Sequence, residues 1–186
     1  MKREKSRRAV FLVGFMGAGK SQAGRALARR LGWRFVDLDH RVEARAGRSI
    51  ARIFREAGEA GFRRAETAEL KRLLRELENS TDTVVALGGG VPARTENRRL
   101  LQEQQTVFLD VPAGTLWERC RKHRGKRPLV EGKAQFLRLY ESRRPHYAAA
   151  GMRVEAAGRN ASELASEIAG RLGFTRERTT AKREKP

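Results

Sequence analysis

Residues 14–21 read G-F-M-G-A-G-K-S, the spacing G-x-x-x-x-G-K-S. Glycines at these positions let a backbone bend until its N–H groups converge on phosphate oxygens, and a following helix adds the positive end of its dipole. Gly17, Ala18 and Gly19 are the expected backbone donors. Lys20 reaches the β and γ phosphates of a nucleotide, and the Ser21 hydroxyl suits Mg²⁺. An apolar run before the loop and a helical pattern after it give the motif the context it requires.

Phosphoryl transfer also needs charge neutralised between the β and γ oxygens, and the second protein contact to the metal is usually a carboxylate at a strand end. Two places qualify. Asp110 closes TVFLD, whereas Asp37 closes RFVD with Asp39 two residues on. In an extended stretch, positions 37 and 39 share a side, so one carboxylate can meet the metal and the other a substrate hydroxyl. The pattern favours that pair and reads Asp110 as a strand-end carboxylate in a turn.

These groups need elements to position them. AVFLV at 9–13, RFVDL at 34–38, TVVAL at 83–87, TVFLDV at 106–111 and MRVEA at 152–156 have the character of strands buried on both faces. Helical patterns lie between them. Ala23, Ala26, Leu27 and Leu31 recur at helical spacing before Gly32, and residues 64–77 carry a second stripe. Further helices are expected over 134–144 and 161–172. Strands alternating with helices predict an open parallel sheet covered on both faces, with ligands outside the carboxyl ends of its strands.

Among the 186 residues, 41 are basic and 22 acidic, a formal charge of +19. The ends hold a large share, since residues 1–8 carry five basic and one acidic side chain and residues 175–186 carry five and two. Both read as basic tails around a domain at 9–174. The rest of the charge suits a site for anionic ligands, so nucleic acid is not the expected partner. Cys120 is the only cysteine, which excludes an internal disulfide and a thiolate metal cluster. The three histidines show no metal-ligand spacing. No apolar run is long enough to span a bilayer. A basic start followed by AVFLVGFMGAG imitates a signal peptide, but cleavage there would remove the phosphate loop. A cytoplasmic location is expected.

The run FVDLDHRVEARAGRSIARIFREAGEAGFRRAETAEL, followed by LGGGV, KRPLV and RRPHY, resembles the shikimate kinases, small P-loop proteins of the nucleoside-monophosphate-kinase-like group. The likeness extends over roughly residues 8–172. It implies an α/β, three-layer P-loop kinase fold with a five-stranded parallel sheet, helices on both faces and a mobile lid at about 119–131. It also implies ATP and Mg²⁺, shikimate as the small-molecule acceptor, and a monomer.

In the family the first aspartate of D-x-D helps to hold Mg²⁺ and the second binds the hydroxyl that is phosphorylated. Those places fall on Asp37 and Asp39 and support the pair over Asp110. Arg63 of F-R-x-x-E matches the arginine that binds the substrate carboxylate, with Glu66 holding it in position. Gly88, Gly89 and Gly90 match a wall against the substrate ring. Arg127 matches the lid arginine that stabilises transferring charge alongside Lys20, and Arg143 a second carboxylate-binding arginine. Arg119 and Arg159 resemble base-contacting positions. Gln22, expected to bind the nucleotide through its amide, stands where the family commonly has a threonine after the Lys-Ser pair, and the segment up to Arg127 is one residue longer than common. A gluconate kinase-like activity on another small alcohol is the alternative reading.

Overall fold

The computed structural model describes residues 8–122 and 132–174. The tail residues 1–7 and 175–186, His123 and Arg127 lie outside the described residues, as does most of the expected lid. No helix among the described residues is long and apolar enough to cross a membrane.

Among the described residues five strands form one parallel sheet: β1 (Ala9–Val13), β2 (Arg34–Asp37), β3 (Thr83–Ala86), β4 (Gln105–Asp110) and β5 (Met152–Glu155), in the order β2-β3-β1-β4-β5. The middle strands are buried along nearly their whole length, whereas β2 and β5 alternate because they form the edges. Register aligns the strand ends that carry chemistry. Asp37 lies opposite Ala86, Leu12 opposite Ala86 on the other side, and Val13 opposite Phe108. The chain leaves β1 toward one edge and later crosses to the other, so the loop after β1 opens into the crevice where such sheets bind ligands.

Among the described residues seven α-helices surround the sheet: α1 (Lys20–Leu31), α2 (Leu38–Ala46), α3 (Ile50–Glu78), α4 (Thr95–Leu101), α5 (Ala113–Arg121), α6 (Lys133–Ala148) and α7 (Ala161–Arg171). The strands and α1 fall where the sequence patterns put them. α2, α4 and α5 were not marked by those patterns. α3 starts well before residue 64 and is broken at Gly58, whose φ of 65° and ψ of −178° are not helical. α6 runs through Pro145, past the expected end at 144. A proline there costs a backbone bond, but Tyr147 in the last turn is fully buried against Phe15 and Phe108, and that burial carries the helix on.

Two apolar cores result. The large one surrounds the sheet and includes Phe11, Phe108 and Leu109. The small one, Val42, Ile53 and Phe62 with Ile50 and Phe54 against it, lies between α2 and α3. An outer network of charge ties the same two helices together. The Nε atoms of Arg41 and Arg45 donate to the two oxygens of Glu69 at 2.6 and 2.9 Å, and Arg41 also grips Glu76 with both Nη atoms. At the amino edge of the sheet Arg8 pairs with Asp82 and lies over the rings of Trp33 and Phe174, joining the two ends of the domain. Trp117 on α5 meets Phe136 of α6 edge-on, with ring centroids 5.4 Å apart.

Candidate active site

The turn from β1 into α1 is built by backbone geometry. Gly14, Gly17 and Gly19 have φ of 148°, 81° and 89°, conformations a side chain would strain. Phe15, nearly fully buried, anchors the loop by edge contacts to Phe136 and Tyr140 of α6. Gly19 caps α1 with no side chain in the way, which leaves the first N–H groups of the helix for an anion. Lys20 folds back, its Nζ donating to the carbonyls of Gly14 and Phe15 at 2.8 and 3.0 Å. Ser21 donates to Asp37 Oδ2 at 2.6 Å.

Asp37 and Asp39 do come together, though not by strand alternation. β2 ends at Asp37, which caps α2 by accepting the Asp39 N–H at 3.1 Å, and Asp39 stands in the first helical turn. The break from strand to helix aims the two carboxylates into one cavity. Asp110 points elsewhere and is held by Arg144 and Arg153 at 3.2 and 2.8 Å.

That cavity, of about 1070 Å³, is lined by the phosphate loop, Asp37, Asp39, Arg63, Glu66, Gly88 to Gly90, Arg119, Arg143 and Arg159, among others. It thus gathers every expected site residue within the described chain, Gln22 included. Arg119 donates to the Gly17 carbonyl at 3.2 Å, and Arg159 pairs with Glu167 at the far end.

The glycine triplet owes its composition to space. None of the three has a positive φ. A Cβ on Gly88 would lie 2.5 Å from Asp39 Oδ1 and 2.6 Å from Glu66 Oε1, and one on Gly90 would strike the Arg63 guanidinium. The triplet therefore lets site side chains close in on the backbone, beyond the ligand contact expected from sequence. The Tyr147 hydroxyl donates to the Gly89 carbonyl and pins the triplet from α6.

Both oxygens that crowd Gly88, Asp39 Oδ1 and Glu66 Oε1, are buried with no hydrogen-bond partner among the described residues. Burial pushes the Asp39 carboxyl above its usual range, and Asp37 and Glu43 add to this, against Lys20 and Arg63. Burial likewise raises Glu66, with Arg63 opposing. Arg63 donates to Glu66 Oε2 at 2.9 Å. Two acceptors and two guanidinium groups, Arg63 and Arg143, thus line the same cavity as the phosphate loop, an arrangement for a small acid that also carries hydroxyls.

A family model described as shikimate kinase matches residues 16–172. The chain belongs to the shikimate kinase family. It is 42% identical over 167 residues to the shikimate kinase of Persephonella marina, an alignment covering 89% of this chain and 99% of that protein. The structure of the shikimate kinase from Acinetobacter baumannii in complex with shikimate superposes with a TM-score of 0.83 at 33% identity, covering 90% of this chain and 94% of the other. The shikimate kinase of Aquifex aeolicus gives 0.78 at 35%, covering 89% and 96%. The five-stranded parallel sheet wrapped in helices is the fold of this family.

Three features of the site were not found from sequence: Tyr147 as the pin on Gly89, Phe15 as the loop anchor, and Glu59 beside Arg63. The first two depend on contacts between distant parts of the chain. The third was open to reading, because Glu59 and Arg63 have the i, i+4 spacing that pairs side chains on a helix.

Proposed function

We propose that the chain transfers the γ-phosphoryl group of ATP to the 3-hydroxyl of shikimate. One observation carries the reading: guanidinium groups that suit a carboxylate, and carboxylate oxygens that suit hydroxyls and have no partner among the described residues, line one cavity together with the phosphate loop.

The loop N–H groups and the head of α1 cradle the nucleotide phosphates, and Lys20 exchanges its loop carbonyls for β and γ oxygens. Arg63 and Arg143 hold the substrate carboxylate, with Arg63 fixed by Glu66. Asp39 accepts a hydrogen bond from the attacking hydroxyl. Its raised proton affinity suits it to take that proton as the bond to phosphorus forms. Orientation is the larger share of the work, since a loose transition state asks little of a base.

The Ser21 hydroxyl and Asp37 carboxylate, 2.6 Å apart, are hard oxygen donors and fit Mg²⁺, which binds through one or two protein groups together with substrate phosphates. When bound there, Mg²⁺ neutralises charge on the β and γ oxygens. Arg119 and Arg159 are assigned to the nucleotide base, and Arg127 to the transferring phosphate.

The test is ADP release by the purified chain with Mg-ATP and shikimate, gluconate or no acceptor. Release that requires shikimate is expected. Release with gluconate in its place would transfer the assignment to the alternative alcohol, and no release with either would refute the proposal.

A further inference from the structure

Arg63 is held by two carboxylates that differ in every respect but charge. Glu66, with 1% of its side chain exposed, takes Nη1 at 2.9 Å. Glu59, 52% exposed, offers the single oxygen Oε1 to Nε and Nη2 at 3.3 and 3.2 Å. The first contact is short and buried, while the second is long, shared and open to water. An i, i+4 ion pair this long, with its carboxylate half exposed, contributes little and exchanges readily.

The edge of Arg63 that Glu59 occupies is one an incoming carboxylate can grip with two parallel bonds. Glu59 reaches it from a second cavity, of about 510 Å³, which shares the Arg63, Gly90 and Arg143 wall with the main site and is also lined by Arg64 and Arg94. Among the described residues four guanidinium groups and one carboxylate line this cavity. A displaced Glu59 side chain therefore stays among cations. It is also the first residue beyond the helix break at Gly58, where the rigid run toward Arg63 begins.

We propose that Glu59 is a placeholder for the substrate carboxylate, holding the Nε and Nη2 edge of Arg63 while the site is empty and yielding it when substrate arrives. This rests on the reading that Arg63 binds a carboxylate. Glu59 competes with substrate, so it sets affinity for acidic acceptors and takes no part in phosphoryl transfer. A residue that merely positions Arg63, as Glu66 does, has the opposite sign.

The test is steady-state ADP release by Glu59→Gln and Glu59→Ala with varied shikimate at saturating Mg-ATP. KM for shikimate should fall about two- to fivefold, as expected for releasing one solvated ion pair. At the same time kcat and KM for ATP should hold within about twofold, and the thermal midpoint should not move. Shikimate methyl ester, which lacks the charge, should show no difference between variant and unaltered chain. A rise in KM for shikimate would make Glu59 a positioning residue and overturn the proposal, as would no change. Lack of turnover on shikimate by the unaltered chain would refute the reading beneath it, and the placeholder with it.

Discussion

Glu66 and Glu69 stand one turn apart on α3, both buried, in opposite states of hydrogen bonding. On the outer side Glu69 has both oxygens taken by Arg41 and Arg45, and Arg41 is closed off in turn by Glu76. On the inner side Glu66 spends one oxygen on Arg63 and leaves the other unpartnered beside the equally unpartnered oxygen of Asp39. A structural ion network completes its bonds within the protein. A binding site leaves some for its ligand, and an unsatisfied buried acceptor costs about 1–3 kcal/mol until that ligand comes.

The contrast breaks first, and hardest, at Asp39. Asp39→Asn keeps the shape but removes the acceptor proposed for the hydroxyl proton, and kcat is expected to fall about 10²- to 10⁴-fold. ATP affinity should stay within a few-fold and the thermal midpoint should hold or rise. ATP affinity that fell in step with kcat would show that the division of labour between Asp37 and Asp39 is wrong.

A smaller effect is expected on the saturated side. Glu69→Gln strips charge from three arginines, yet Arg41 retains Glu76 and both Arg45 and the more distant Arg72 are well exposed, so the loss should be about 2 kcal/mol. For a chain of this size that lowers the midpoint by about 4–8 °C. Steady-state kinetics below the midpoint should show kcat/KM unchanged. If turnover fell with stability, the two sides of α3 would not be separate in function.

The smallest effect is the sharpest in sign. Because burial raises the Glu66 carboxyl above its usual range, the folded chain keeps that proton to higher pH than the unfolded chain. The group's contribution to stability is full below the unfolded value and is lost as pH rises through the folded one. Glu66→Gln removes the dependence, so from about pH 4 to pH 7 the variant's midpoint should climb relative to that of the unaltered protein. Midpoints measured across that range test this, and a gap that narrows would mean that Arg63 outweighs burial.

What the sequence showed depends on the range of the interactions. β1 and β3 were legible because strands buried on both faces are runs of Val, Leu and Phe. The loop at 14–21 was legible because its chemistry fixes its spacing. α2, α4 and α5 are seven to nine residues long and bury too few side chains to leave a clear stripe. Asp37 and Asp39 line one cavity by a geometry other than the expected alternation, since a strand end and a helix start bring neighbours together as well. Tyr147 on the Gly89 carbonyl joins positions 58 apart, and no local pattern announces it.

The placement of the two tryptophans has a spectroscopic consequence. Trp33 emits from the clasp at the amino edge, between Arg8 and Phe174, while Trp117 emits from α5, against Phe136. A Trp33→Phe chain would carry one emitter, on the helix that also carries Arg119, whose guanidinium donates to the Gly17 carbonyl, so its signal is expected to report on that side of the cavity. The Trp117→Phe chain carries the other, which follows the parting of the two ends.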